Sequence, residues 1–260
     1  MIMRSDLYLF QNGYVQSRSK AKELIESQNV KINGLLVKKP SDDVDELADN
    51  KVEILSTFSF VSRGGLKLEA ALDRFDISVE GLKAIDVGAS TGGFTDCLLK
   101  RGAESVIAVD SGENQLDASL LKDCRVICVE KYNARYMKAA DFPHLPDLAV
   151  MDVSFISQTL IHPALSEVLK EGGLLISLIK PQFEAGPAAI GKKGIVKHKK
   201  DREAAIKRVL YSAESCGLGC FALMCSPITG GDGNIEFLAA FRKGEPMKIS
   251  EQMLKNIAEG

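Results

Sequence analysis

The sequence predicts a two-part α/β chain, a small α+β module of about sixty residues followed by a doubly wound, mostly parallel sheet. Three observations predict it. Five short apolar runs alternate with longer connecting segments from residue 83 onward, the spacing of buried parallel strands. The first run feeds directly into a glycine-rich turn, Gly88-Ala89-Ser90-Thr91-Gly92-Gly93, that opens a helix. Before residue 60 the pattern differs, with two short helices and an Asn33-Gly34 hairpin. The boundaries fall at 1–60, 61–245 and 246–260, the last a tail or a single helix.

The 260 residues are 45% hydrophobic, 26% charged and 6% aromatic, an ordinary globular composition with enough chain for two cores. No apolar stretch approaches the roughly 18 to 20 residues that span a bilayer. The opening Met1-Ile2-Met3-Arg4-Ser5-Asp6 reaches a carboxylate before any signal-peptide apolar core develops, which predicts a cytoplasmic protein without stable membrane insertion. Six cysteines contain no C-x-x-C pair and three histidines lie far apart, so metal chemistry is not expected and the cysteines read as reduced packing residues. Net charge is −2, but it is unevenly spread. Residues 1–41 hold seven basic groups against three acidic, and residues 180–208 nine against three, the distribution of a protein that meets a polyanion.

In the first module, Ser5 is placed as the N-cap of a short helix closed by Asn12-Gly13. A second helix over Ser17–Gln28 sets Ala21, Leu24, Ile25 and Gln28 on one face and Arg18 and Lys22, four apart, on another. The hairpin Val30-Lys31-Ile32, Asn33-Gly34, Leu35-Leu36-Val37 and a strand at Lys51–Ile54 complete the unit. Residues 55–62 read as a linker or a joining strand.

In the second part, strands are predicted at 83–87, 105–109, 125–128, 148–151 and 174–179, with helices between them. Two further strands, 220–225 and 235–241, are joined by too few residues for a crossover helix and must pair antiparallel. The glycine turn departs from G-x-G-x-x-G at its second glycine, while Asp110 ends the second strand where a carboxylate accepts ribose hydroxyls. Turn and carboxylate together indicate an adenosine cofactor and leave NAD and S-adenosylmethionine both open. The terminal antiparallel hairpin combined with this turn resembles Rossmann-like S-adenosylmethionine-dependent methyltransferases, whose sheet has seven strands.

The chemistry narrows by motif. Asp152-Val153-Ser154-Phe155 lacks the Asn/Asp-Pro-Pro-aromatic signature of amine methylation, and no Pro-Cys pair exists for covalent attack on a base. Asp152 and Lys180 end strands, Glu236 opens the last one, and Lys67 lies on the helix after Gly64-Gly65; the order Lys67, Asp152, Lys180, Glu236 resembles the Lys-Asp-Lys-Glu tetrad of the FtsJ-like ribose 2′-O-methyltransferases. An alcohol is a poor nucleophile, so its proton needs an acceptor. Lys180 serves only as a neutral amine, which desolvation and Lys67 favour while Asp152 and Glu236 oppose.

The run Arg4-x-Asp6-x-x-Leu9, Gly13, Ser17-Arg18-Ser19-x-Ala21, Leu24-Ile25, Val30-x-Ile32-Asn33-Gly34, Lys39-Pro40-Ser41 resembles the S4 RNA-binding domain. With Val61-Ser62-Arg63-Gly64-Gly65-Leu66-Lys67-Leu68, Asp86–Asp96, Asp152–Ser157 and Lys180-Pro181-Gln182-Phe183-Glu184, nearly the whole chain resembles the TlyA family of bacterial ribosomal RNA methyltransferases, often called hemolysins. The resemblance implies 2′-O-methylation of cytidine in ribosomal subunits, with S-adenosylmethionine at Gly88–Phe94, Asp110, Asn133 and Asp152. It implies RNA contacts at Arg4, Arg18, Lys20, Lys22, Lys31, Lys38, Lys39 and Arg63. Phe58-Ser59-Phe60 stands where some relatives have Arg-x-Trp. A membrane-active hemolysin and a catalytically idle assembly factor are the competing expectations.

Overall fold

The computed structural model describes residues 2–15, 17–26, 29–55, 60–192, 194–230 and 233–259, with backbone alone for Ser19 and Glu23. The expected helix end at Ser27-Gln28, the linker residues 56–59 and Lys193 of the second basic run lie outside these. The chain divides into two compact units, Met1–Arg63 and Gly64–Gly260.

The first unit runs β1 (Ile2–Arg4), α1 (Ser5–Gln11), α2 (Arg18–Glu26), β2 (Val30–Ile32), β3 (Leu35–Leu36), β4 (Asp43–Asp45) and β5 (Val52–Ile54). β2 is the middle strand of an antiparallel trio with β3 and β5. Asn33 and Gly34 both take positive φ, the backbone a type I′ turn requires. Leu9, Ala21, Leu24, Ile25, Val30 and Ile32 form the core, and α2 presents the apolar face its spacing dictates. A second pairing, β1 with β4 through Met3 opposite Val44, was not expected. It corrects the cap assignment: α1 begins at Ser5 itself, whose hydroxyl donates to the Asp42 carbonyl at 2.6 Å instead of capping the helix.

The second unit runs α3 (Gly64–Phe75), β6 (Lys83–Val87), α4 (Gly93–Lys100), β7 (Ser105–Val109), β8 (Val126–Val129), β9 (Leu148–Met151), α5 (His162–Val168), β10 (Leu174–Ile179), α6 (Pro181–Glu184), α7 (Lys199–Ser215), β11 (Leu218–Cys225), β12 (Phe237–Lys243) and α8 (Glu251–Ile257). Seven strands form one sheet in the order β11-β12-β10-β9-β6-β7-β8. β6 to β10 are parallel, and β12 runs antiparallel between β10 and β11, as the short connection demanded. All four residues of β9 are buried, and each large side chain so buried contributes about 1.5–3 kcal/mol. From β6 the chain moves outward to β7 and β8, then returns to β9 on the other side of β6. That reversal opens a crevice past the strand ends, where ligands of such sheets bind.

The helices expected between β7, β8 and β9 are absent. Turns and two 3-10 segments, Ala134–Tyr136 and Ala139–Asp141, take their place. β8 is therefore thinly covered: Ile127 and Cys128 are exposed, as is Cys124, so only part of the cysteine set packs as expected. Burial pushes the Cys97 and Cys220 thiols up to about 12. Residues of the second basic run also serve structure. Arg202 is buried and donates to the carbonyls of Lys197, Ala258 and Glu259, locking α8 onto α7.

Candidate active site

The strand ends at the switch point carry the candidate residues. β6 ends at Val87 and the chain turns at Gly88, where φ is +83° and an added Cβ would lie 2.6 Å from the Asp152 carbonyl oxygen past the end of β9. Only glycine allows that approach. Beneath the turn, fully buried Asp86 accepts from the Thr95 amide at 2.9 Å and hydroxyl at 2.7 Å, tying α4 to β6. Burial pushes its carboxyl up to about 7, against the Thr95 hydroxyl bond and reinforced by the Asp152 charge.

A cleft of about 370 Å³ opens at this edge. Of the expected cofactor residues, Gly88, Ser90, Asp110, Asn133 and Asp152 line it. Asp110 accepts from the Ser90 amide at 2.8 Å and the Gly112 amide at 2.7 Å, so it holds both walls of the turn, and each oxygen retains a second lone pair for a hydroxyl. Asn133 accepts from the Arg135 amide and caps the 3-10 segment. Ala89, Thr91, Gly92, Gly93 and Phe94 lie outside the lining; Phe94 is a core residue, 3% exposed, and Gly92 starts α4 from a left-handed backbone. Gln115, Tyr132, Ser154 and Phe155 also line the cleft, although the sequence assigns none of them to the cofactor site. A glycine turn no Cβ could enter, a carboxylate at the second strand end and an open cleft between them fit an adenosine cofactor.

The four tetrad residues appear as two ion pairs. Lys67 of α3 meets Glu236 at 2.5 Å with side chains 10% and 3% exposed. Lys180 lies 2.6 Å from Asp152 Oδ1, an ionic contact outside hydrogen-bond alignment, and donates to Ser154 Oγ at 2.8 Å. Register brings them to one edge: Ile179 pairs with Phe237, so Lys180 and Glu236 follow side by side, and Asp152 comes one residue after the last β9 residue. Beside them Phe155 is 92% exposed at a φ of +62°, its ring 5.2 Å from that of Phe183. A bulky residue in that backbone region is a strained position.

On the first unit, Asp6 is buried and accepts from Arg4 Nε and Arg18 Nε, both at 3.0 Å. Burial opposes its ionisation, but the two arginine bonds outweigh it and hold the carboxyl below the usual range. Arg4, Arg18 and Lys22 line one groove with Pro40 and Ser41. Lys38 and Lys39 are exposed and Lys31 half-buried. Lys20 donates to the Val61 carbonyl at 2.5 Å and Arg63 sits 3.8 Å from Glu26, so these two also have partners within the unit.

A seven-stranded sheet with a reversed last hairpin, a glycine turn at its switch point and paired lysines and carboxylates at the same edge define a Rossmann-like methyltransferase. Residues 60–243 match the FtsJ-like methyltransferase family, and residues 3–47 match the S4 domain. The 16S/23S rRNA (cytidine-2'-O)-methyltransferase TlyA of Mycobacterium tuberculosis is 37% identical, the match covering 97% of this chain and 94% of that one. Hemolysin A of Brachyspira hyodysenteriae is 42% identical over 92% of this chain and 99% of its own. A solved structure from Streptococcus thermophilus, 42% identical, superimposes with a TM-score of 0.81 over 99% of this chain and 94% of that one. The chain belongs to the FtsJ-like methyltransferases, in the S4-bearing TlyA family. Among the described residues no helix is long and apolar enough to cross a membrane.

Proposed function

We propose that this protein transfers a methyl group from S-adenosylmethionine to the ribose 2′-hydroxyl of a cytidine in ribosomal RNA, acting on ribosomal subunits in the cytoplasm. The observation that carries it is the pairing of Lys67 with Glu236 and of Lys180 with Asp152 at the sheet edge that also carries the Gly88 cleft. The cytidine and the ribosomal RNA follow the reaction in the name of the mycobacterial relative.

Gly88, Ser90, Asp110 and Asn133 would hold S-adenosylmethionine, which would supply an electrophilic methyl on a sulfonium. Lys180 and Ser154 offer polar atoms that fix the attacking hydroxyl, and holding it in line with the methyl is the main acceleration available. The attacking hydroxyl must give up its proton as it is methylated. Its proton passes to the Asp152–Lys180 pair and on to solvent, which Asp152 reaches with 23% of its side chain exposed. Lys67 and Glu236, nearly buried, neutralise each other beside the end of β10 that carries Lys180. Phe155 offers its exposed ring as a platform on which a nucleotide turned out of its stack can rest. Arg4, Arg18, Lys22, Lys38 and Lys39 contribute phosphate contacts.

The test is transfer of labelled methyl from S-adenosylmethionine to unmethylated small and large subunits and to naked ribosomal RNA, wild type against Lys180→Ala, followed by nuclease digestion. Label on ribose that disappears in the variant supports the assignment. Binding of the cofactor with no label on any of these substrates overturns it, and lysis of erythrocytes retained by Lys180→Ala would favour the hemolysin reading.

A further inference from the structure

Two segments of the second unit meet side by side along the chemistry. One runs from Asp152 to Gln158 after β9, the other from Lys180 to Glu184 after β10. They touch in sequence: Asp152 and Ser154 at Lys180, Phe155 at Phe183, and Ser157 with Gln158 at Glu184. The last contact differs in kind from the others. Glu184 is 2% exposed, and its carboxylate accepts from the Ser157 hydroxyl at 2.5 Å and the Gln158 amide at 2.9 Å. Its own carbonyl receives Arg208 Nη1 of α7 at 2.8 Å. Gln158 continues the chain of bonds inward, its side chain pairing with the Ser177 hydroxyl and the Leu178 carbonyl of β10.

We propose that Glu184 is a positioning residue for the methyl transfer, closing the buried end of this seam so that Ser154 and Phe155 are held against Lys180 and Phe183. A carboxylate suits the place because it accepts two donors at once, and a neutral amide has a single acceptor oxygen. Burial raises the Glu184 carboxyl, while the Ser157 and Gln158 donors pull the other way. The seam also explains how Phe155 keeps a left-handed backbone while 92% exposed: the residues flanking it are bonded on both sides, at Ser154 to Lys180 and at Ser157 to Glu184. Glu184 reaches neither the cleft lining nor the tetrad, so it acts through the loop it holds.

The proposal rests on the ribose methyltransferase reading, and the experiment separates the two. Full-length Glu184→Gln, Phe155→Ala and the double variant are compared with wild type in single-turnover methyl transfer to unmethylated subunits, together with S-adenosylmethionine affinity by calorimetry and thermal unfolding. Glu184→Gln is expected to slow transfer roughly tenfold or more, with cofactor affinity within twofold and unfolding temperature close to wild type. In the double variant the loss is expected to fall well short of the product of the two single losses, since Glu184 acts in part through Phe155. Should Glu184→Gln transfer at the wild-type rate, or should the two losses multiply, the seam has no positioning role. A general loss of unfolding temperature and cofactor affinity together would reduce Glu184 to a packing residue; Ser157→Ala, which removes one donor and leaves Glu184 in place, then decides by slowing transfer or not. Absence of transfer by wild type would instead remove the underlying reading.

Discussion

Replacing Lys67 by methionine keeps most of the side-chain volume and removes only the ammonium. The Lys67 and Glu236 side chains are 10% and 3% exposed at 2.5 Å separation, so the change leaves a carboxylate in a nearly dry site with its cation gone. Stranding one partner of such a pair costs about 3–5 kcal/mol. For a unit of this size each kcal/mol moves the melting temperature by about 2–4 °C, so a fall of about 6–20 °C is expected. The double variant Lys67→Met, Glu236→Gln removes the stranded charge and is expected to recover most of that loss, to within about 1–2 kcal/mol of wild type. Its methyl transfer is expected to stay depressed by about 100-fold, because folding returns but the Lys67–Glu236 ion pair does not. Urea unfolding of the three proteins gives the cycle, and transfer to unmethylated subunits gives the activity. A cost below about 1 kcal/mol for Lys67→Met would show that the pair is effectively solvated. A double variant as unstable as the single one would place the cost in the lysine stem's packing and refute the charge argument.

Gly88→Ala should abolish measurable cofactor binding in calorimetry, since its Cβ would meet the Asp152 carbonyl at 2.6 Å and force β6 and β9 apart at the cleft floor. Phe155→Ala should lower transfer roughly 5- to 150-fold, the worth of one base stacked on an aromatic ring, with no loss of melting temperature because the ring is 92% exposed. Arg18→Glu with Lys22→Glu should weaken subunit binding and reduce the slope of log affinity against log salt by roughly 1 to 2, leaving cofactor affinity unchanged. Burial lowers His162 to about 4 from its ordinary 6.5, so the stability it carries is complete above pH 6.5 and is lost as pH falls through 4. Between pH 7 and 4, wild type should lose about 3 kcal/mol relative to His162→Leu in urea titrations.

Strands were the most legible part of the chain because they are buried on both faces and read as unbroken apolar runs; four of the five parallel ones have the expected ends. Asp152, Lys180 and Glu236 stood out for the same reason, as charges immediately beyond such runs. The β1–β4 pairing is not legible in the sequence because three residues give too short an alternation, and the connections around β8 are long enough for helices that tertiary packing does not form. Ser154, Phe155 and Glu184 lie in the runs that carry the family resemblance, but nothing in those runs gives them a role. Phe155 matters through its backbone angle and exposure, and Glu184 through partners 26 and 27 positions away, neither of which is written in local pattern.

β8 ends the sheet as a strand of four residues with no α-helix in the connections on either side of it, and it shows solvent both an isoleucine and a thiol. A sheet border of that kind is a template for another strand. Association in concentrated solution is therefore expected to involve this border: its short length limits how many backbone bonds a visiting strand can form, and a disulfide formed at Cys128 under oxidising conditions would make such an encounter covalent. Handling under reducing conditions, or a lysine in place of Ile127, addresses that weakness at its source.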